Sequence, residues 1–287
     1  MCRKRNQGIC LSDTLRLPGE VQAQAVALLP FAQLQVQCVI EALWPDLDLV
    51  GETDFQAWKA IEPMVEPSDD IYIPSRVWRC VLEAAGRILR QHADRKRIFE
   101  LLVPVLTEGE ALTDDESLQT IVWRLVEELK EHGTYEKRGY LLNIAEQISR
   151  FYVENDRLPT DCFELQPVSV VEAPFLTLAA DDGPEKGQVY RLTVEGGEIH
   201  LRFKYPRIPE PKGQDDWDWT DEVTISTPNI LTKRLTGDGV EQKAPNLRLK
   251  TVKSGQQVAV LDFISETPRP PLVPTTSNVL SHDWGVK

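Results

Sequence analysis

Val279 and Leu280 run through Ser281 and His282 into Asp283, Trp284 and Gly285, so an apolar stretch ends on a carboxylate and then a glycine. A metal-dependent nuclease presents a first ligand in this way: the strand aims the carboxylate at a divalent cation, and the glycine lets the backbone turn sharply behind it. The other residues able to do chemistry are dispersed. His92, His132 and His200 stand alone, His282 reads as incidental beside Asp283, and no G-x-S-x-G, Walker or H-E-x-x-H pattern occurs. The loop GQDDWDWTDE at 213–222 interleaves Asp215, Asp216, Asp218 and Asp221 with Trp217 and Trp219. Alternating carboxylates can hold a hard cation such as calcium, but the rest of a calcium loop is missing. The pattern favours an acidic turn anchored by its tryptophans.

The segment SNVLSHDWGVK (277–287) resembles the first RuvC motif of TnpB-type transposon-encoded proteins and their relatives, the type V CRISPR effector nucleases. Asp283, Gly285 and Lys287 fall at the matching positions, and Trp284 stands where leucine is common. The order of the preceding chain resembles the family as well: an N-terminal strand, a long helical segment, a β-rich segment and a proline-rich connector (Pro268, Pro270, Pro271, Pro274). The resemblance implies that Asp283 is a catalytic and metal-binding residue. It implies Mg²⁺ as the cofactor of full-length members, whose two ions sit about 3.5–4 Å apart, and guide RNA and target DNA as partners. In the family a glutamate, a further aspartate and a four-cysteine zinc ribbon follow this motif. With one carboxylate in hand, the expectation is an N-terminal portion, truncated just after the first RuvC motif, that binds nucleic acid without cutting DNA. The other reading is a complete acidic α+β protein that binds another protein, with an accidental DWG.

Composition bounds both readings. The chain has 287 residues, 41% of them hydrophobic, enough for one sizeable core or two smaller ones. No uninterrupted run approaches the roughly 20 apolar residues that span a bilayer, and the basic N-terminus has no apolar stretch behind it, so neither a membrane span nor a signal peptide is expected. Cys2, Cys10, Cys38, Cys80 and Cys162 form no C-x-x-C pair and read as free thiols of a cytoplasmic, reducing compartment. A net charge of −13 opposes non-specific phosphate binding, unless the basic residues gather on one surface.

The elements that must position these residues follow from periodicity. Thr14–Leu17 is extended up to Pro18-Gly19. Val21, Ala25, Leu28 and Leu29, then Leu34, Cys38, Val39 and Leu43, recur at helical spacing, with a break or kink expected at Pro30. Asp54 suits an N-cap for a short helix over 55–61. The clearest helix starts at Pro74-Ser75, with Val77, Val81, Ala84, Ala85 and Ile88 as its apolar face. Arg76, Arg79, Arg87, Arg90, Arg95, Lys96 and Arg97 outnumber Glu83 and Asp94 on the rest. These arginines are a candidate phosphate surface, similar to the family's second recognition helix; the same pattern describes a solvated helix face with internal ion pairs. Thr113 and Glu116 read as a capping box for a helix ended by His132-Gly133, where His132 suits a cap, and another helix covers 140–152.

Beyond Pro159 short β-branched runs take over at 168–171, 175–178, 189–194, 199–203, 223–225 and 258–264, with turns at Asp182-Gly183 and Gly196-Gly197. The expected fold class is α+β. A helical bundle (20–158) is inserted into or followed by an antiparallel β-barrel or sheet (159–267), resembling the family's wedge domain, to which an N-terminal strand (1–19) belongs. Residues 268–287 form a linker and the first strand of an incomplete RNase H-like (RuvC) domain. By the resemblance Arg191, Arg202, Lys204, Arg207, Lys250 and Lys253 clamp the RNA scaffold. They are equally the pattern of the polar face of a half-exposed sheet.

Overall fold

The computed structural model describes residues 8–51, 57–106, 114–133, 138–165, 175–178, 188–237 and 239–268. The run at 168–171, the Asp182-Gly183 turn, the Asp54 cap, and everything after Pro268, including the DWG motif, lie outside the described residues. The chain opens with strand β1 (Gly8–Arg16), antiparallel to the last described strand β9 (Gln257–Pro268), from Gly8↔Pro268 to Arg16↔Val260. At the exit of β1, Gln22 clamps the two together. Its Nε2 donates to the Leu17 and Ala259 carbonyls (2.6 and 3.2 Å), and its Oε1 accepts from the Ala259 N–H at 2.7 Å.

Gln22 also starts helix α1 (Gln22–Leu43), which runs through Pro30 without the expected interruption. Pro30 cannot donate to the carbonyl of Val26, but Pro30 is exposed and Val26 is 42% exposed, so that carbonyl lies on the wet side of the helix. Leu28, Leu29, Phe31 and Ala32 are buried around it and hold the helix in register. Leu34 and Cys38, one turn apart, share the outer side instead of the apolar stripe. Gly19–Val50 is long and apolar enough by length and composition to cross a bilayer, which counting uninterrupted apolar residues missed; half of its most apolar stretch is buried within the protein.

Short helices α2 (Leu47–Gly51) and α3 (Ala57–Ile61) lead to α4 (Ser75–Leu102), about 42 Å long at 1.5 Å per residue. Helices α5 (Asp115–Glu131), α6 (Arg138–Asn155) and α7 (Cys162–Leu165) complete the helical part. The N-cap of α5 is Asp114, which accepts from the Ser117 N–H at 2.9 Å, one residue later than the capping box places it. His132 caps its other end, with Nδ1 2.8 Å from the Glu128 carbonyl oxygen.

The β part comprises β2 (Phe175–Thr177), β3 (Tyr190–Glu195), β4 (Glu198–Pro206), β5 (Trp217–Trp219), β6 (Val223–Ser226), β7 (Glu241–Gln242) and β8 (Asn246–Thr251), with α8 (Asn229–Thr236) between β6 and β7. These strands form two open antiparallel sheets, ordered β1-β9-β8-β2 with β7 on β9, and β3-β4-β5 with β6 on β4; the described strands do not close into a barrel. The outer strands β1 and β2 of one sheet and β3 of the other each pair with a single described strand, so neither sheet closes on itself.

Two cores hold these elements. The larger joins α1, α2 and the first half of α4 to both sheets, through residues such as Leu28, Val81, Leu89, Leu201, Phe203 and Leu261. The smaller packs the last turns of α4 against α5, α6 and α7, around Ile98, Val122, Leu141, Ile148 and Cys162. Helix α4 crosses from one to the other. At the crossing His92 packs against Trp44 and Phe163, with ring centroids 5.4 and 5.8 Å away, and burial, aided by Arg95, holds its imidazole below the ordinary value.

Candidate nucleic-acid interface

The site grows from one hairpin. Gly196 and Gly197 both take left-handed backbone angles (φ +58° and +87°), as a tight two-residue turn between twisted strands requires, and this sets β3 against β4 from Tyr190↔Phe203 to Glu195↔Glu198. Alternation along β4 buries Ile199, Leu201 and Phe203 and leaves His200, Arg202 and Lys204 on the outer face. Register then aligns charge: Arg191 of β3 stands directly opposite Arg202, and β5 lays Trp219 opposite Lys204. All three cations lie over the indole, with Arg191 Cζ, Arg202 Cζ and Lys204 Nζ at 5.0, 5.1 and 5.6 Å from its ring centroid.

Like charges paired across strands repel, and the negative ring face offsets part of that cost. Among the described residues no carboxylate forms an ion pair with Arg191, Arg202 or Lys204, and the buried Nε of Arg202 has no hydrogen-bond partner. Two carboxylates of the nearby acidic loop are spent on its own backbone. Asp216 Oδ2 accepts from the N–H groups of Lys212 and Gly213 (2.7 and 3.2 Å), and Asp218 Oδ1 from that of Trp219 (2.8 Å). Trp217 anchors the loop: it is buried edge-on to Phe31 of α1 at 5.4 Å, and its Nε1 donates to the Tyr72 carbonyl at 3.0 Å. The acidic, tryptophan-anchored turn thereby fixes where Trp219 lies. Beside the cluster, His200 Nδ1 is 3.1 Å from Thr224 Oγ1 and 3.8 Å from Glu222.

The other basic residues are distributed differently. At about 100° per residue Arg76, Arg79, Arg87, Arg90 and Arg97 share one side of α4, but so do Glu83 and Asp94. Arg79 pairs with Glu62 at 3.6 Å and lies 4.6 Å from the Trp58 ring centroid; Arg87 pairs with Glu83 at 2.8 Å and Arg97 with Asp94 at 3.7 Å. Arg95 is buried and donates to Gln147 of α6 at 3.3 Å. Lys96 reaches across to Asp48 at 2.7 Å, a hydrogen bond that raises its pKa. Lys250 and Lys253 are exposed on the other sheet, at the β8–β9 turn, and Arg207 is exposed after β4. Beside Lys250, Arg248 pairs with Asp262 (2.5 Å). Burial pushes the Asp262 carboxyl up, and hydrogen bonds from Arg248 and Thr14 more than offset this and hold it below its usual value.

Asp283 lies outside the described residues. Among the described residues no three His, Cys, Asp or Glu side chains converge as a cation site, so no step through Mg²⁺ is derived. Trp219 is the residue that sequence reasoning missed as a site component. The hairpin's alternation, which puts Arg202 and Lys204 on one face, is legible in the sequence; the return of Trp219 alongside them is not.

No protein-family model matches the chain, and no curated protein does. Among solved structures, 91% of the chain aligns with 59% of a chain from the cryo-EM structure of the Cas12f1–sgRNA–target DNA complex, at 8% sequence identity and a TM-score of 0.27. A score that low does not establish a shared fold.

Proposed function

We propose that this chain is the nucleic-acid-binding N-terminal portion of a TnpB-type, RNA-guided DNA endonuclease, and that the outer face of β3, β4 and β5 contacts the guide RNA. The observation that carries the reading is the gathering of Arg191, Arg202 and Lys204 on Trp219, without carboxylate partners among the described residues, in a chain of net charge −13. An acidic protein that keeps an unneutralised cationic cluster on one sheet face has a local field suited to a polyanion, whatever its net charge. In this reading residues 20–158 serve as the recognition part and 159–267, with the first strand, as the wedge. Asp283 is the first ligand of the Mg²⁺ site of the whole nuclease, which works in the cytoplasm, and this chain alone binds without cutting. Arg76, Arg79, Arg87, Arg90, Lys96 and Arg97 of α4, with Lys250 and Lys253, are further candidate contacts to guide and target.

A different observation favours the alternative of a protein-interaction surface. Trp123 on α5 is 50% exposed, with Arg138 and Lys130 at 5.1 and 5.9 Å from its ring centroid. Ultraviolet crosslinking separates the two. The purified chain, irradiated with a structured RNA, should yield adducts on peptides spanning 190–219. No adduct anywhere on the chain would contradict nucleic-acid binding and leave the Trp123 face as the better lead.

A further inference from the structure

We infer that Trp219 is a stacking platform for an unpaired base, so that the β3–β4–β5 face takes single-stranded RNA and not a continuous duplex; this rests on the nucleic-acid reading above. Three observations bear on it. Three cations lie over the half-buried indole, each within 5.6 Å of its ring centroid, so a base stacked on the part of the ring they leave open would have its flanking phosphates beside Arg191, Arg202 and Lys204. Phosphates placed there would relieve the repulsion between the facing arginines Arg191 and Arg202, which the indole offsets only in part and no carboxylate among the described residues neutralises. The backbone that carries the ring is also placed in advance. Trp217, two residues earlier, is locked into the core by Phe31 and the Tyr72 carbonyl, and Asp218 holds the Trp219 N–H, so little ordering cost remains at binding.

The ligand class follows from geometry. In a duplex the bases are stacked on one another and their faces are closed to a side chain, whereas a single strand offers a free π-face flanked by phosphates. A cationic face without an aromatic centre would suit either. An aromatic centre overlain by cations is matched by the second and, away from a duplex's ends, not by the first.

The test compares a short oligouridine with a blunt-ended RNA duplex on the full chain, for wild type, Trp219→Leu, Trp219→Phe and Arg191→Glu/Arg202→Glu. Trp219→Leu should weaken oligouridine binding by about tenfold while changing duplex binding by less than about twofold, and Trp219→Phe should restore most of the loss. An equal loss on both probes, or no loss on either, overturns the stacking role. Failure of the wild type to bind either probe, or indifference of both probes to the double arginine reversal, overturns instead the nucleic-acid reading of this face. Circular dichroism of each variant separates loss of contact from loss of fold.

Discussion

Arg191 and Arg202 face each other directly across the β3–β4 pairing, two guanidinium groups covered by one indole. A sheet selected for stability alone avoids this arrangement. Opposed like charges cost about 0.2–1 kcal/mol, and the buried Arg202 Nε, which has no hydrogen-bond partner among the described residues, adds up to about 1–3 kcal/mol. The cation–π contact returns about 0.5–1 kcal/mol. The balance makes Arg202 a net liability to folding.

Arg202→Thr should therefore raise stability, by up to about 3 kcal/mol in low salt, while weakening RNA binding. The gain should shrink as salt rises, because screening already relieves the wild-type repulsion. Urea denaturation at low and high salt measures the first effect, and filter retention of RNA the second.

His92 makes stability depend on pH. Its folded pKa lies below the ordinary 6.5 because it is buried against Trp44 and Phe163 and stands near Arg95. The unfolded chain thus takes up the proton first, so this contribution is fully present above about pH 6.5 and is lost as pH falls below it. His92→Phe keeps an aromatic ring there and should flatten the fall in urea midpoint between about pH 7.5 and 5.5. An unchanged slope would assign the titration to another group.

The smaller core should fail by itself. Leu141 is fully buried there, and Leu141→Ala should cost about 2–5 kcal/mol through lost contacts and a residual cavity. Hydrogen exchange should then accelerate in α5 and α6 while β4 and β9 keep their protection, because their contacts belong to the other core. Equal acceleration in the sheets would show that the two cores unfold as one.

Much of the helical part is legible in the sequence, since long periodic stretches such as α4 declare themselves through Val77, Val81 and Ala84. Pro30 misleads because its effect depends on which side of the helix faces water, and that is a tertiary fact. Strand β5 is hidden for a related reason: four carboxylates around Trp217 and Trp219 read as loop, and only the core contact of Trp217 explains why an acidic segment becomes a strand. The hairpin and its outward Arg202 and Lys204 follow from alternation. Their meeting with Trp219 does not, because the cross-strand register of β5 is set by packing and leaves no local signal. For α4 the count of basic residues was legible but not all their partners, since Glu62, which pairs with Arg79, and Asp48, which pairs with Lys96, come from other parts of the chain.

The most direct measurement is the affinity of the full chain for a structured RNA across a salt series, repeated with Arg191, Arg202 and Lys204 all changed to glutamate. Binding through several phosphates predicts a steep linear fall of log K with log salt, and loss of that binding in the triple variant. A wild-type affinity that ignores salt, or a triple variant that binds as well as wild type, would contradict the assignment of this face to nucleic acid.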